Sequence, residues 1–327
     1  MKNFNWTEPQ TVEQALGWLS KANGKAVLMA GGTDLLTKIK EGVVEPDLVI
    51  DLRSVPGLAA IRQDRDGVRI GALTTVAALA ADPMIKRDFP GLSEAAASLA
   101  TPQLRNVGTV GGNLCQRPRC WYYRDVQMVC RKKGGSQCFA AKGRNKYHAV
   151  FGGGICHIVH PSDLAPMLIA LDAEVTIGSP GGEKTLPLSG FYALPSKNVR
   201  RENVLAADEM VKEVRLPLPQ KGIRSAYVKL KERETWDFAL VSAAVRGTVL
   251  GGGLREASIV LGGVAPIPWR LPKSEEAVKS KKLSPALIQE ALRADLQDAR
   301  PLEENGYKLP LIEAAVTRAL LKLTGSA

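Results

Sequence analysis

A chain of 327 residues with ordinary globular composition can bury a sizeable core, and its length suits two domains. Its net charge of +11 invites a nucleic-acid reading, but much of the excess sits around the cysteines, so no nucleic-acid partner is expected and an acidic protein fits at least as well. No apolar run approaches transmembrane length, which argues against membrane insertion. The N-terminal stretch MKNFNWTEPQTVEQAL lacks a signal peptide's apolar core and a twin-arginine pair. The expected address is therefore the cytoplasm, or the periplasm if a partner bearing a twin-arginine signal carries the chain out.

Residues 11–22 read as a helix behind a Thr11 cap, and 26–29 as a short strand. The strand runs into Ala30-Gly31-Gly32-Thr33-Asp34, where two glycines let backbone N–H groups approach a ligand and Thr33 or Asp34 can cap the next helix. Strand, glycine turn and helix start make an anion site for a phosphate, or simply a tight turn. Two more units repeat the theme. Strand 67–70 leads through Gly71-Ala72-Leu73-Thr74 into helical VAALAADPMI, and a helix over 91–100 precedes the loop 108–114. None fits the dinucleotide G-x-G-x-x-G fingerprint or a P-loop.

After Asp163 come a helix, a strand, a Pro-Gly-Gly turn and a second strand. The proline-rich stretch near Pro217 suggests a domain boundary, which divides the chain into 1–220 and 221–327. Beyond it, 225–230, 239–250 and 257–262 read as three strands, with Gly251-Gly252-Gly253 turning between the last two. Ser284-Pro285 opens a helix, and 309–323 is the last one. The C-terminal unit is expected to be a small antiparallel sheet with helices on one side, and the fold class is α+β.

All five cysteines, Cys115, Cys120, Cys130, Cys138 and Cys156, lie within residues 101–163, which also hold the glycine turns at 108–113 and 152–154. No secretory signal and an odd count disfavour disulfides. Paired C-x2-C zinc knuckles are absent, whereas an iron–sulfur cluster accepts irregularly spaced thiolates. Zinc and inert thiols stay open on spacing alone. The bases Arg117, Arg119, Arg124, Arg131, Lys132, Lys133, Lys142, Arg144 and Lys146 surround them, as an anionic thiolate centre would require. His148, His157 and His160, the only histidines, fall in the same region.

The ordered motifs AGGTDLL (30–36), IGALTT (70–75), LRNVGTVGGNL (104–114) and HPSD (160–163) resemble the FAD-binding medium subunit of the molybdenum hydroxylases, the xanthine dehydrogenase and carbon monoxide dehydrogenase flavoprotein family. The cysteine loop resembles the branch with an extra 4Fe–4S cluster, as in bacterial aldehyde oxidoreductase and 4-hydroxybenzoyl-CoA reductase. The resemblance implies a two-subdomain PCMH/VAO-type FAD domain, with subdomains of about 1–55 and 56–220, followed by a three-stranded C-terminal sheet with helices. It implies that Met29, Ala30, Gly31, Gly32, Thr33, Asp34 and Leu35, with Asn106, Gly108, Thr109, Gly111, Gly112 and Asn113, hold the FAD diphosphate through backbone N–H groups. Gly71, Ala72 and Thr74 would line the adenosine–ribityl side, and Asp163 and Lys229 would stand near the flavin. Asp163 can equally be a helix cap, and Lys229 a solvated strand residue.

The implied cluster ligands are Cys120, Cys130, Cys138 and Cys156. Cys115 is the alternative to Cys156, because the fourth cysteine of 4-hydroxybenzoyl-CoA reductase falls where this chain has Tyr147. Trp121, Tyr122 and Tyr123 would shield the cluster, pack near the isoalloxazine or be core. The implied assembly is a heterotrimer with a large molybdopterin subunit and a small 2Fe–2S subunit. This chain would pass electrons through FAD to ferredoxin, quinone or O2, and no acid–base or nucleophile set stands out. The rivals are a stand-alone FAD oxidoreductase and a basic four-cysteine zinc protein that binds nucleic acid.

Overall fold

The computed structural model describes residues 1–250 and 253–325, so Gly251 and Gly252 of the expected glycine turn lie outside the described residues. The first sheet is parallel, in the order β1 (Asn5–Thr7), β3 (Leu48–Asp51), β2 (Ala26–Met29). Helix α1 (Val12–Lys21) connects the first two strands in sequence and α2 (Leu35–Lys40) the next two. The Thr11 hydroxyl accepts from the Gln14 N–H, and Ala15, Leu16 and Leu19 form the buried stripe of α1.

The second sheet is antiparallel. It contains β4 (Ile61–Asp64), β5 (Gly67–Gly71), β6 (Glu174–Ser179), β7 (Gly182–Pro187) and β8 (Met210–Leu216), in the order β4-β5-β8-β6-β7. Between β5 and β6 the chain forms short helices: α3 (Val76–Ala81), α4 (Pro83–Asp88), α5 (Pro90–Ala97), α6 (Pro102–Val107), α7 (Val110–Cys115), α8 (Trp121–Arg124) and α9 (Leu164–Ala170). The helical run after Thr75 breaks at Asp82, because Pro83 has no N–H to continue it and the Asp82 carboxylate caps α4 at the Ile85 N–H. Helix α9 is buried along its whole length and sits at the centre of the largest apolar core.

The third sheet pairs β9 (Ile223–Leu230), β10 (Val241–Leu250) and β11 (Gly253–Gly262). The expected three strands gain a fourth, the two-residue β12 (Trp269–Arg270), which pairs with β11 at Val260 and Leu261. Helices α10 (Pro272–Val278), α11 (Pro285–Leu296) and α12 (Lys308–Thr324) follow, and their apolar faces complete a second core with the sheet. The Ser284 hydroxyl caps α11 at the Leu287 N–H, as its sequence position implies. Among the described residues, no helix is long and apolar enough to cross a membrane.

At the start of α12, Lys308 is fully buried, and its ammonium donates to the carbonyls of Gly263 (2.6 Å) and Tyr147 (3.2 Å). Burial pushes it down from 10.5 to about 7. Between those values the unfolded chain holds a proton that the folded chain has shed, so folding gains stability as pH rises. Wild-type stability should therefore climb relative to Lys308→Met from about pH 7 to about pH 10, read as the gap between urea midpoints. Parallel curves would mean that Lys308 titrates as in water.

Candidate cofactor cleft and cysteine pocket

Two concave sites lie side by side. The larger is a cleft of about 920 Å³, a size suited to an extended ligand. Its walls include Ala30, Gly31, Gly32, Thr33, Asp34, Leu35, Ala72, Gly108, Thr109, Gly111, Gly112, Asn113 and Asp163. Glycine is needed where the loops touch. A Cβ on Gly31 would stand 2.0 Å from the Val107 carbonyl oxygen, and one on Gly111 2.8 Å from the Ala72 Cβ. Gly32 has φ +71°, which a side chain would strain.

The two loops differ in what they offer a ligand. Among the described residues, the N–H groups of Gly31, Gly32, Thr33 and Asp34 donate to no backbone carbonyl outside the helices and strand ladders, so they remain available. In the second loop the expectation of free donors is corrected. Gly108 donates to Leu104, Val110 to Thr74, Gly111 to Ala72, Asn113 to the Thr109 carbonyl, and Gly112 to the Thr109 hydroxyl. Those glycines serve close packing against β5 and the turn of α7.

Other expected positions stand off the wall. Met29 is buried beneath Gly32, Gly71 and Thr74 are buried under the chain at Leu58 and Ala60, and Asn106 is exposed on α6. Lys229 is not a solvated strand residue. Its ammonium lies behind Asp163, 2.8 Å from Oδ2, while Tyr227 donates to Oδ1 at 2.9 Å, and both Lys229 and Asp163 side chains are almost fully buried. Asp163 does not cap α9. The Ser162 hydroxyl accepts from Ala165 N–H instead and donates to Asn113 Oδ1 (2.5 Å), which leaves the Asp163 carboxylate for Lys229 and Tyr227.

The arginines were assigned to the cysteines by sequence, and here too the structure corrects the reading. Asp34 makes no helix-cap bond; its carboxylate receives Arg119 (2.6 Å), Arg124 (2.6 Å), Lys38 (3.2 Å) and the Arg117 N–H (3.0 Å). Burial works to raise the Asp34 carboxyl, but the Lys38 and Arg119 cations outweigh it and hold it well below the carboxylate range. Arg117 also pairs with the buried Glu202, which accepts from Lys132 at 2.5 Å. Arg117, Arg119, Arg124 and Glu202 line the cleft, and Lys132 lines the cysteine pocket. The signal for this in sequence was three arginines in an eight-residue stretch after the glycine loop, but their target is a carboxylate some 80 to 90 positions earlier, which spacing does not reveal.

The smaller site, about 10 Å³, is lined by Cys120, Cys130, Cys138 and Cys156 together with His148, Tyr122 and Lys132. Cys115 lines the larger cleft instead, where burial pushes its thiol up to about 12. Backbone N–H groups are aimed at the sulfurs: Tyr122 and Tyr123 at Cys120, Ala140 and His157 at Cys138, and Ile158 at Cys156. A hydrogen bond between Cys138 and Cys156 favours the thiolate on Cys138 and keeps the proton on Cys156. Amide donors around sulfur stabilise negative charge there, as an anionic thiolate centre requires. Among the described residues, no three His, Cys, Asp or Glu side chains converge on one point as a single ion with sulfur at about 2.3 Å would need. Four cysteine sulfurs line the pocket, the donor number that a four-iron cluster takes. Trp121 is partly exposed, and its ring packs edge-on to His148 and Tyr147.

A family model for the FAD-binding domain in molybdopterin dehydrogenase matches residues 2–219, and one for the CO dehydrogenase flavoprotein C-terminal domain matches 225–323. The chain is 35% identical, over the full length of both, to the aldehyde oxidoreductase FAD-binding subunit PaoB of Escherichia coli (strain K12). It is 29% identical to the carbon monoxide dehydrogenase medium chain of Hydrogenophaga pseudoflava, over 97% of this chain and 96% of that one. A solved carbon monoxide dehydrogenase from Hydrogenophaga pseudoflava superposes with a TM-score of 0.78 at 27% identity, covering 99% of this chain and 98% of that one.

Removing one partner of a buried ion pair strands the other charge. Lys229→Met should therefore cost about 3–5 kcal/mol in denaturant unfolding. Adding Asp163→Asn should recover much of it. An equal loss in the single and double variants would mean that the pair is not the cause.

Proposed function

This chain belongs to the family of FAD-binding subunits of molybdopterin dehydrogenases, as an oxidoreductase subunit of the xanthine dehydrogenase family, and on that premise we propose that it carries FAD and a 4Fe–4S cluster in a molybdenum hydroxylase complex. A large molybdopterin subunit would oxidise an aldehyde or an aromatic or heterocyclic substrate, and a small 2Fe–2S subunit would relay the electrons to this one. An external acceptor such as ferredoxin, quinone or O2 would take them away. The observation that carries this reading is the adjacency of a cleft with free backbone donors and a pocket of four thiols, joined through Lys132, Glu202 and Arg117.

In this reading the N–H groups of Gly31, Gly32, Thr33 and Asp34 hold the diphosphate of FAD, with Arg119 and Arg124 drawn up beside them by Asp34. Gly31 lets the first loop close against Val107 at the entry to the second, and Gly111 lets the second lie against Ala72. Asp163, locked by Lys229 and Tyr227, presents a fixed carboxylate on the cleft wall. Bound FAD would supply storage of two electrons with exchange one at a time, and the chain's part is to place and tune it. Cys120, Cys130, Cys138 and Cys156 would hold the cluster.

The test is an anaerobic absorption spectrum of the purified chain with iron and acid-labile sulfide assays. Flavin bands over a broad brown shoulder, with about four irons and four sulfides per chain, are expected. Flavin without iron would leave an FAD protein and remove the cluster. Zinc without flavin would overturn the reading and favour the nucleic-acid rival. Cys156→Ser should lose the iron while Cys115→Ser keeps it; the opposite result would move the fourth ligand to Cys115. Gly31→Ala, whose Cβ would collide with the Val107 carbonyl, should lower FAD affinity at least tenfold by fluorescence titration, about 1.4 kcal/mol.

A further inference from the structure

One side chain in the cysteine pocket has no part in the reading above. His148 is 3% exposed, and its Nε2 lies 3.2 Å from the Cys120 sulfur. Its Nδ1 is buried with no hydrogen-bond partner. A neutral imidazole carries one N–H, and a proton on Nδ1 would be a buried donor without an acceptor. The proton therefore belongs on Nε2, facing the sulfur. A thiolate sulfur, which can only accept, needs that same arrangement.

The ring is held from several sides. The His148 N–H donates to the Asn145 carbonyl at 3.0 Å, and Asn305 at the entry to α12 donates to the His148 carbonyl at 3.1 Å. The Trp121 ring meets it edge-on at 5.5 Å, and Tyr122 lies 6.2 Å away. The other donors aimed at the cysteines are backbone amides, which substitution cannot remove. A hydrogen bond to a ligating sulfur withdraws charge from a cluster and favours its more electron-rich, reduced state.

We propose that His148 is a positioning residue whose Nε2–H donates to the Cys120 sulfur and raises the reduction potential of the cluster the four cysteines would hold. The inference rests on the cluster reading, and its test separates the two. The cluster potential is measured by EPR-monitored redox titration of the anaerobically purified chain, with iron and sulfide counted in each sample. His148→Phe keeps a flat ring between Trp121 and Tyr122 but removes the donor. With iron content unchanged, its cluster potential should fall below that of the wild type, and His148→Gln, which restores an N–H, should recover part of the shift. The flavin potential should stay put in both.

An unmoved cluster potential in a fully loaded His148→Phe overturns the proposal and leaves the cluster reading intact. Wild-type protein without iron overturns the cluster reading, and this proposal falls with it. A second measurement needs no variant: electron–nuclear double resonance on reduced wild type labelled with ¹⁵N-histidine. Weak nitrogen coupling together with an exchangeable proton supports the hydrogen bond. Strong coupling of a coordinated nitrogen, or none at all, overturns it.

Discussion

The Asp34 carboxylate is the joint on which the two sites depend. It stands at the end of the first glycine loop, yet its partners, Arg117 through its N–H and Arg119 and Arg124 through their guanidinium groups, come from the start of the cysteine loop. Lys38 from α2 completes the set. The chain of charges continues from Arg117 to Glu202 and on to Lys132 in the cysteine pocket. Counted with Glu41, which meets Arg124 at 3.6 Å, five cations face three carboxylates. The surplus of positive charge lies on the wall of the cleft, beside backbone donors that the fold leaves unused. Such a wall attracts an anion at little cost, because the protein has already assembled the countercharge.

A second joint holds the C-terminal sheet against this cleft. Strand β9 docks on α5, where the Gly91 N–H donates to the Ser225 hydroxyl and the Tyr227 N–H to Glu94. The same strand then sends the Tyr227 and Lys229 side chains, two residues apart and so on one face, to the Asp163 carboxylate. Burying one carboxylate with one ammonium and one hydroxyl satisfies the pair and fixes Asp163 in orientation. Ser162 makes this possible by taking over the cap of α9. Two consecutive residues thus divide the work, Ser162 capping a buried helix and Asp163 receiving the ammonium and hydroxyl of β9.

Much of this could be read from the sequence, because glycine turns and caps act locally. Thr11 and Ser284 cap their helices as their positions dictate, whereas the loop at Gly108 spends its N–H groups on its own chain. The grouping of Cys120, Cys130, Cys138 and Cys156 comes from the family resemblance, and these four line one pocket while Cys115 lines the cleft. What could not be read depends on long-range pairing. Strand β8 lies between β5 and β6, and its sequence MVKEVRL carries Glu213, which pairs with Arg69 of β5, and Arg215, which pairs with Glu174 of β6. The targets of Arg117, Arg119 and Arg124 were invisible for the same reason. So was the depth of Lys229, since a lysine in a strand looks the same whether it faces water or a buried carboxylate.

The cysteine loop also bears on what a cluster there could do. Regular structure is scarce between α8 and α9, but the loop is anchored from outside. Fully buried Asn145 donates to the Ala140 and Gly143 carbonyls and accepts from the Glu304 N–H, while the Glu304 carboxylate receives the N–H groups of Asn145 and Lys146. Asn305 and Lys308 hold the carbonyls of Tyr147, His148 and Ala149. Lys132 is fastened to Val199 and Glu202. A loop with this many protein anchors does not need a metal centre to define its path, unlike small metal-folded modules in which the ligands are the main cross-links. A cluster held by the four cysteines would thus sit in a loop fixed by the protein, one charge network from the cleft through Lys132, Glu202 and Arg117.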